Sequence, residues 1–475
     1  MKSLKYITNM FIASVLLLYG CKTPQTVTQK PLLPMPASFD KSIDTVSAAA
    51  MNWKQYFKDE NLVSIIDTAL KNNWDVQIAI QRIQQSQSNV LLSKGALKPF
   101  VNSVVASGIR RFGEYTMDGA GNKTTEIYNG KIIPDHLPDF LVGLQTTWEV
   151  DLWGKLKNKK KEAVSRFLAS TEGRNIVITN LIAEIATAYY ELTGLNLSLR
   201  IIDETIVLQD SALVLVKLQK EALMATELGV KQFEAQLLNL RSLRLAIIQQ
   251  IAVTENNINF LAGRYPQKIE RDTAYAINQF SAQLKTGIPS TLLQNRPDIR
   301  QAEFELMASK ADVQSAKAAF YPSLNITAGL GLQAFQSNLL LNATSIAYNA
   351  LGNLAAPVIN RSVIKAEFNF ANAVQVEAMY NYQKTIVNGY IEVYNEMLQI
   401  KNLQQIFDLK TQEVNALTEA IRASSLLFRA NRANYIDILF AQQNALQAKL
   451  DLVETQKNQM LSAINMYKAL GGGWR

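Results

Sequence analysis

Histidine and cysteine each occur once in the 475 residues, as His136 and Cys21. One imidazole and one thiol cannot build a zinc site, a disulfide framework or a Cys/His dyad. Walker loops and dinucleotide fingerprints are also missing. Carboxylate-only catalysis stays open in principle, but no local constellation of acids points to it. Composition therefore argues against an enzyme and against a cofactor. Lys plus Arg number 48 against 40 for Asp plus Glu, a formal charge of +8, yet the excess is spread along the chain. The longest basic cluster, Lys155 to Lys161, has no aromatic residues interleaved as a base-stacking surface requires, so nucleic acid is not an expected partner. Long apolar runs are scarce as well. The N-terminal run from Tyr6 to Leu18 is too short to cross a bilayer, which takes about 20 residues.

What that terminus does contain is a secretory pattern. Lys2 and Lys5 precede the apolar run, and Leu18-Tyr19-Gly20-Cys21 closes it, which reads as a signal peptide over 1–20. A small residue before Cys resembles the lipobox of bacterial lipoproteins, although Tyr19 is bulkier than that pattern usually carries. The only cysteine of the chain thus falls at the expected cut, and Cys21 is the expected lipid acceptor. Residues 22–36 carry four prolines and no periodicity, so 21–50 reads as a lipidated, extended tether.

Proline placement organises the remainder. Of twelve prolines, none lies between Pro138 and Pro266 and none follows Pro357. Both stretches permit very long helices, and both carry a seven-residue apolar repeat. The first runs Ile178, Ile185, Leu192, Leu199, Ile206, Leu213. The second runs Ile386, Val393, Ile400, Phe407, Val414, Ile421, Phe428. Sustained spacing of this kind means helices that supercoil against neighbours. A single helix over 155–218 would be ~96 Å long.

Pro99 and Pro322 instead each end a helical pattern (Leu70 to Leu97, Asp298 to Phe320) and open an extended one. Four strands are expected, at about 100–112, 141–151, 323–335 and 345–358, in two pairs. Alternation is clearest at Leu144, Thr146, Trp148 and Val150 against Gln145, Thr147, Glu149 and Asp151. Segments of about ten residues with one apolar and one polar face are also the mark of membrane-barrel strands. At a constant offset of 223, Lys94, Ala96, Pro99 and Asn102 match Lys317, Ala319, Pro322 and Asn325. Each half then reads helix, strand, polar loop, strand, very long helix, returning helix, which is an internal repeat. The expected division is a first repeat over 51–265, a linker over 266–297 and a second repeat over 298–475.

Four strands cannot close a membrane barrel, whose minimum is about eight, and an open edge in lipid leaves backbone groups unpaired. The strands must stay out of the membrane or be pooled between copies. At this point the sequence becomes recognisable. Trp148-Glu149-Val150-Asp151-Leu152-Trp153-Gly154-Lys155, Asn295-Arg296-Pro297-Asp298-Ile299 with Ala302-Glu303, and Gly471-Gly472-Gly473-Trp474 resemble motifs of the TolC-like outer-membrane efflux proteins, in the lipoprotein branch typified by OprM and NodT. Trp53, Asn61-Leu62 and Ala69-Leu70-Lys71-Asn72-Asn73 resemble that family's opening helix. The resemblance implies an α+β membrane protein, in which a homotrimer shares four strands per chain in a twelve-stranded β-barrel continued by a long α-helical barrel. It implies a lipid-anchored place in the outer membrane of a Gram-negative bacterium. The implied role is the exit duct of a tripartite efflux system, with a periplasmic adaptor (a membrane fusion protein) and an inner-membrane transporter of the RND type as partners. The rival reading is a lipid-anchored periplasmic coiled-coil scaffold whose strands stay soluble.

Candidate site residues follow. Asp151 and Gly154 shape the strand-to-helix junction, and Trp148 anchors at the membrane interface. Arg296-Pro297-Asp298 reads as a helix start, Gly471 to Gly473 as a helix stop, and His136 as a solvated loop residue. By the family pattern the adaptor docks on the helix turns at Leu223, Thr226, Phe428, Asn431 and Tyr435. Many members have Gly where this chain has Asn431 and, in the first half, Leu223, a residue poorly suited to a left-handed turn. No acid lies between Glu419 and Asp437, so an acidic gate is not expected there. Arg422, Ser425 and Arg429 are instead expected to face Glu221 and Glu227 at the periplasmic aperture.

Lipidation is testable directly. Metabolic labelling with a fatty-acid probe is expected to mark the wild-type protein and to be lost in Cys21→Ser. Equal labelling of the two would refute the assignment. The Ser variant is still expected to assemble, because barrel strands hold a membrane more firmly than acyl chains do.

Overall fold

A computed structural model of the chain describes residues 33–39, 51–128, 130–271, 287–357, 359, 361–430, 432 and 434–474. The signal segment 1–20 and Cys21 lie outside the described residues. Caps and prolines set the element boundaries. After α1 (Trp53–Tyr56), the Asp59 carboxylate accepts hydrogen bonds from the Asn61 and Leu62 N–H groups at 2.9 and 3.2 Å and starts α2 (Glu60–Asn72). The helix expected from Leu70 to Leu97 is in fact broken at Asn73, which has extended backbone. Its side-chain oxygen accepts from the N–H groups of Asp75 and Val76 to open α3 (Trp74–Gly95), and its amide donates to the Leu261 carbonyl. An Asx cap competing with the helix ladder explains the break.

The four long strands are β1 (Phe100–Arg110), β4 (Leu137–Val150), β5 (Ser323–Ala334) and β6 (Ile346–Ala355). Between the first two, the stretch read as a polar loop contains a short helix α4 (Met117–Asn122) and a small hairpin of β2 (Glu126–Tyr128) with β3 (Lys131–Ile132). The long helices are α5 (Lys155–Glu221, 67 residues) and α9 (Ser362–Arg429, 68 residues), each followed by a returning helix, α6 (Glu227–Leu261) and α10 (Tyr435–Ala469). A short α7 (Leu292–Asn295) precedes α8 (Pro297–Ala318), whose first residue is the proline.

The chain divides into two units. One comprises Gln84–Leu168 and Phe304–Tyr380. Its antiparallel sheet has the order β1-β4-β5-β6, so the two expected strand pairs are joined through β4 and β5 into a single sheet. Gly143 and Gly331 face each other in that central pairing. A Cβ on either would come within 2.7 Å of the other's Cα, so both positions need glycine for the strands to approach. β1 and β6 are the outer strands and are exposed along most of their length. A small core of Val313, Phe320, Phe368 and Ala371 joins the end of α8 to the start of α9.

The second unit takes the described parts of Pro31–Ile83 and Ala169–Glu303, together with Asn381–Arg475. Trp53, Phe57, Leu62 and Ile66 pack on Ile178, Ile182, Ile185 and Leu192 of α5 in one large cluster. Tyr189, fully buried there, donates its hydroxyl to Asp59 at 2.8 Å; burial, and then the carboxylate, push its pKa up. The seven-residue stripes are covered unequally. Ile178, Ile185, Leu192 and Leu213 are buried, whereas in the second stripe only Val393 is, the others being half-buried. One chain satisfies the first stripe more fully than the second.

Phe39, in the segment read as a free tether, is buried among Leu292, Ile299, Val393, Met466 and Leu470, stacking on Tyr390 at 5.2 Å between ring centres. Nearby, Arg296 does far more than precede a helix. Its guanidinium side chain, 7% exposed, forks onto Asp298 at 3.0 and 2.6 Å and donates to Glu392 at 2.7 Å and to the Ala469 carbonyl at 2.8 Å. It thereby ties α8, α9 and the end of α10 together. Gly389 leaves the room: a Cβ there would sit 3.1–3.3 Å from the guanidinium. Removing one partner of a buried ion pair costs about 3–5 kcal/mol. Arg296→Ala is expected to lower the thermal unfolding temperature sharply, and Arg296→Lys to recover only part, since an ammonium cannot fork. Unchanged melting in both would remove this clamp from the account.

Candidate functional site

Two places carry the candidate residues, and each lies within one unit. The first is the junction between sheet and helix. β4 ends at Val150, and the Asp151 carboxylate accepts from the N–H groups of Leu156 and Lys157 at 2.9 and 2.8 Å, capping α5. Gly154 has φ +76°, a left-handed conformation that the tight entry into the helix demands, and its carbonyl accepts from both Asn158 nitrogens. Trp148 donates its indole N–H to the Leu97 carbonyl at 3.2 Å. Glu149 pairs with Lys155 at 3.0 Å. Trp153 donates to the Pro322 carbonyl at 2.7 Å and stacks on Tyr321 at 4.9 Å. Trp148, Asp151 and Gly154 are thus brought into one junction, and every polar group named there already has a partner. A cleft of about 400 Å³ remains beside it, lined by Leu152, Trp153, Tyr321 and Ile364 among others.

The second place is the pair of helix turns. Between α5 and α6 the Met224 N–H reaches the Gln219 carbonyl at 2.8 Å and the Leu223 N–H the Lys220 carbonyl at 2.9 Å. These are the two paired hydrogen bonds of a Schellman turn. Leu223 occupies the position where glycine is usual, with φ +58° and 94% exposure. The Thr226 hydroxyl accepts from the Gly229 N–H at 3.2 Å and starts α6. At the other turn the Arg432 N–H bonds to the Leu427 carbonyl at 2.8 Å; Asn431 lies outside the described residues. Phe428 and Tyr435 pack on the cluster of Leu213, Val216, Val230 and Phe233, joining the two turns. A Cβ on Gly229 would sit 3.3 Å from the Tyr435 ring, so the glycine lets the aromatic face lie on the backbone.

Among the described side chains, Arg422 does not pair with Glu221 or Glu227 within one chain. Glu227 pairs with Lys220 across its own turn, and Arg422 pairs with Glu419 one turn earlier on α9 at 2.8 Å. Each charge finds a partner on its own repeat, where little chain entropy is lost. The Lys220 hydrogen bond, and then its charge, hold the Glu227 carboxyl below the usual range. Its contact therefore persists on acidification and is lost only as pH falls through that lowered value. Glu221 is exposed and Ser425 half-buried; of Arg429 only the backbone, at the end of α9, is described. His136 is exposed, immediately before β4. Among the described residues no helix is long and apolar enough to cross a membrane, and no group of three or more His, Cys, Asp and Glu side chains is placed to hold a metal ion.

Residues 65–264 and 288–472 match the model of the outer membrane efflux protein family, and the chain belongs to that family. It is 25% identical over 467 residues to the cation efflux system protein CusC of Escherichia coli O6:H1, covering 97% of both chains. It is likewise 25% identical to the toluene efflux pump outer membrane protein TtgI of Pseudomonas putida, covering 97% of both. Among solved structures, a crystal structure of CusC superposes with a TM-score of 0.83 at 24% identity, covering 95% of this chain and 100% of that one. The chain is an outer-membrane efflux channel of a Gram-negative cell; the scaffold reading falls away.

The strained turn gives a measurable expectation. A non-glycine residue in the left-handed region costs roughly 1–2 kcal/mol, offset in part by the extra freedom glycine has when unfolded. Leu223→Gly is expected to leave stability unchanged or raise it by up to about 1 kcal/mol in denaturant melts. Leu223→Ile, β-branched, is expected to lower it. A marked loss with Gly would show that the exposed leucine makes a contact in the assembled protein.

Proposed function

We propose that three copies pool their sheets, β6 of one pairing with β1 of the next, to form a passive exit duct for small molecules. The open edges carry this reading. A four-stranded sheet in lipid would leave the outer backbone groups of β1 and β6 unpaired, at several kcal/mol each, and a closed ring of copies removes both edges. The half-covered second stripe on α9 supports it, since neighbouring helices from other copies would cover it. No chemical step is assigned to any residue.

In this reading Cys21 carries the lipid, and the adaptor docks on the helix turns at Leu223, Thr226, Phe428, Asn431 and Tyr435. An inner-membrane transporter of the RND type supplies the energy. The aperture is lined by Glu221, Glu227, Arg422, Ser425 and Arg429, and contacts that hold it shut run between copies, because within a copy Glu227 pairs with Lys220 and Arg422 with Glu419. Trp148 marks the periplasmic level of the membrane. Exposed ion pairs contribute only about 0–1 kcal/mol each, so three symmetry-related sets bias a gate that an adaptor can release.

Native mass in mild detergent is expected to be that of a trimer, and a monomer or dimer released without detergent would refute the duct. Arg422→Glu combined with Arg429→Glu is expected to raise single-channel conductance in planar bilayers. Unchanged conductance and closed time, with the trimer intact, would remove the latch and leave the duct standing.

A further inference from the structure

The register of the sheet brings all four strand–helix junctions to one edge. Phe100 lies opposite Thr147, Val150 opposite Leu324, and Ser323 opposite Ala355. The helices leave from that edge, so in an outer-membrane protein it is the periplasmic one. The first two turns of α5 there read Lys155-Leu-Lys-Asn-Lys-Lys-Lys161. Lys155 is spent on Glu149, and Lys159 on Glu162 and Asp312. Arg166 adds a contact to Glu305. The pairs with Asp312 and Glu305 turn one face of α5 toward α8. At 100° per residue, Lys157, Lys160 and Lys161 fall on the face turned away from α8. None of the three has an ion-pair partner among the described residues. Asp151 already occupies the helix N-terminus, so that end offers no anion seat of its own.

The other junctions repeat the sign. Lys94 and Lys98 precede β1, Lys317 precedes β5, and Lys365 opens α9, without ion pairs among the described residues; Lys94, Lys98 and Lys365 are exposed. The opposite rim differs. Its first loop carries Arg111, Lys123 and Lys131 against Glu114, Asp118, Glu126 and Asp135, and its second loop, 335–345, carries no charge. Of the two rims of the sheet, only the one where sheet becomes helix therefore carries a basic excess. That edge also bears Trp153 and Tyr321, the residue types that sit at headgroup level. Headgroups occupy roughly 5–7 Å on each side of the hydrocarbon, and Lys157 to Lys161 rise about 6 Å along the helix. The lysines thus span the headgroup layer.

We propose that Lys157, Lys160 and Lys161 form the centre of a basic collar that binds the phosphates of anionic lipid headgroups in the periplasmic leaflet. The proposal rests on the membrane-channel reading. Charge complementarity and continuity with the membrane-spanning sheet name the occupant, and the long side chains reach the phosphates by snorkelling. Each lysine near an anionic surface strengthens attachment roughly fivefold.

The mature full-length trimer, in mixed detergent with phosphatidylglycerol and phosphatidylcholine, is assayed by native mass spectrometry for retained lipid. Wild type is expected to retain phosphatidylglycerol in several-fold excess, and excess inorganic phosphate is expected not to displace it. Lys157→Gln with Lys160→Gln and Lys161→Gln should cut that preference by roughly tenfold or more, with trimer mass and conductance unchanged. The triple Arg variant should keep it, as should Lys58→Gln with Lys71→Gln and Lys401→Gln elsewhere. Undiminished preference in the Gln variant overturns the collar, as does displacement by free phosphate. A shift in ion selectivity with lipid retention unaltered also overturns it, because the lysines would then face the water-filled channel. Insertion with no lipid preference at all sinks the collar alone, whereas failure of the wild type to insert as a trimer sinks the channel reading with it.

Discussion

Everything in this molecule is arranged around backbone groups that one chain cannot satisfy. The sheet β1-β4-β5-β6 pairs its inner strands along ten or more residues and leaves a row of N–H and C=O groups on each outer strand. In water such edges are a hazard; in lipid they are forbidden. The glycine pair Gly143 and Gly331, the capped entry into α5 and the clustered strand ends serve a sheet whose completion lies in other copies. Self-association is in this sense a requirement of hydrogen bonding before it is a matter of apolar surface.

The helices pose a second, softer version of the same demand. The stripe from Ile178 to Leu213 is largely covered by α1, α2 and α6 of its own chain, whereas the stripe from Ile386 to Phe428 is mostly half-covered. Two repeats with the same element order have therefore diverged in what covers them. The first repeat closes on its own chain, and the second leaves surface over. Arg296 adds to this within the chain by bonding three elements at once, gripping α9 at Glu392 beside Val393, the one buried residue of the second stripe.

Much of this was legible in the residues. Proline-free stretches and seven-residue spacing gave two long helices, the first close to its observed ends, because a stripe repeated six or seven times leaves little else to adopt. Alternation and Pro99 and Pro322 gave the strands to within a few residues. What escaped was governed by contacts distant in sequence. Asn73 breaks a helix because its side chain caps the next one and bonds to Leu261. Arg296 looked like a helix start because Glu392 and Ala469 lie about a hundred residues and more away. The joining of β4 to β5 spans nearly two hundred residues and leaves no local trace. At the turns the glycine-less position at Leu223 was visible, yet the chain adopts the left-handed turn anyway, since two backbone hydrogen bonds outweigh the strain. The pairings of Glu227 with Lys220 and of Arg422 with Glu419 are equally local and were not read from the sequence.

Phe39 carries a consequence for the order of events in the making of the protein. Its seat is built from Leu292, Ile299, Val393, Met466 and Leu470, so the receiving surface exists only once almost the whole chain has been synthesised. Phe39 lies eighteen positions beyond Cys21, a reach of at most ~65 Å when fully extended. The segment that emerges first thus waits on residues near the far end of the chain, and a chain cut short before Met466 lacks part of its seat. Seating of this one ring reports that translation, folding of the second repeat and closure of α10 are all complete, and it fixes the length of leash by which a lipid at the N-terminus would be held.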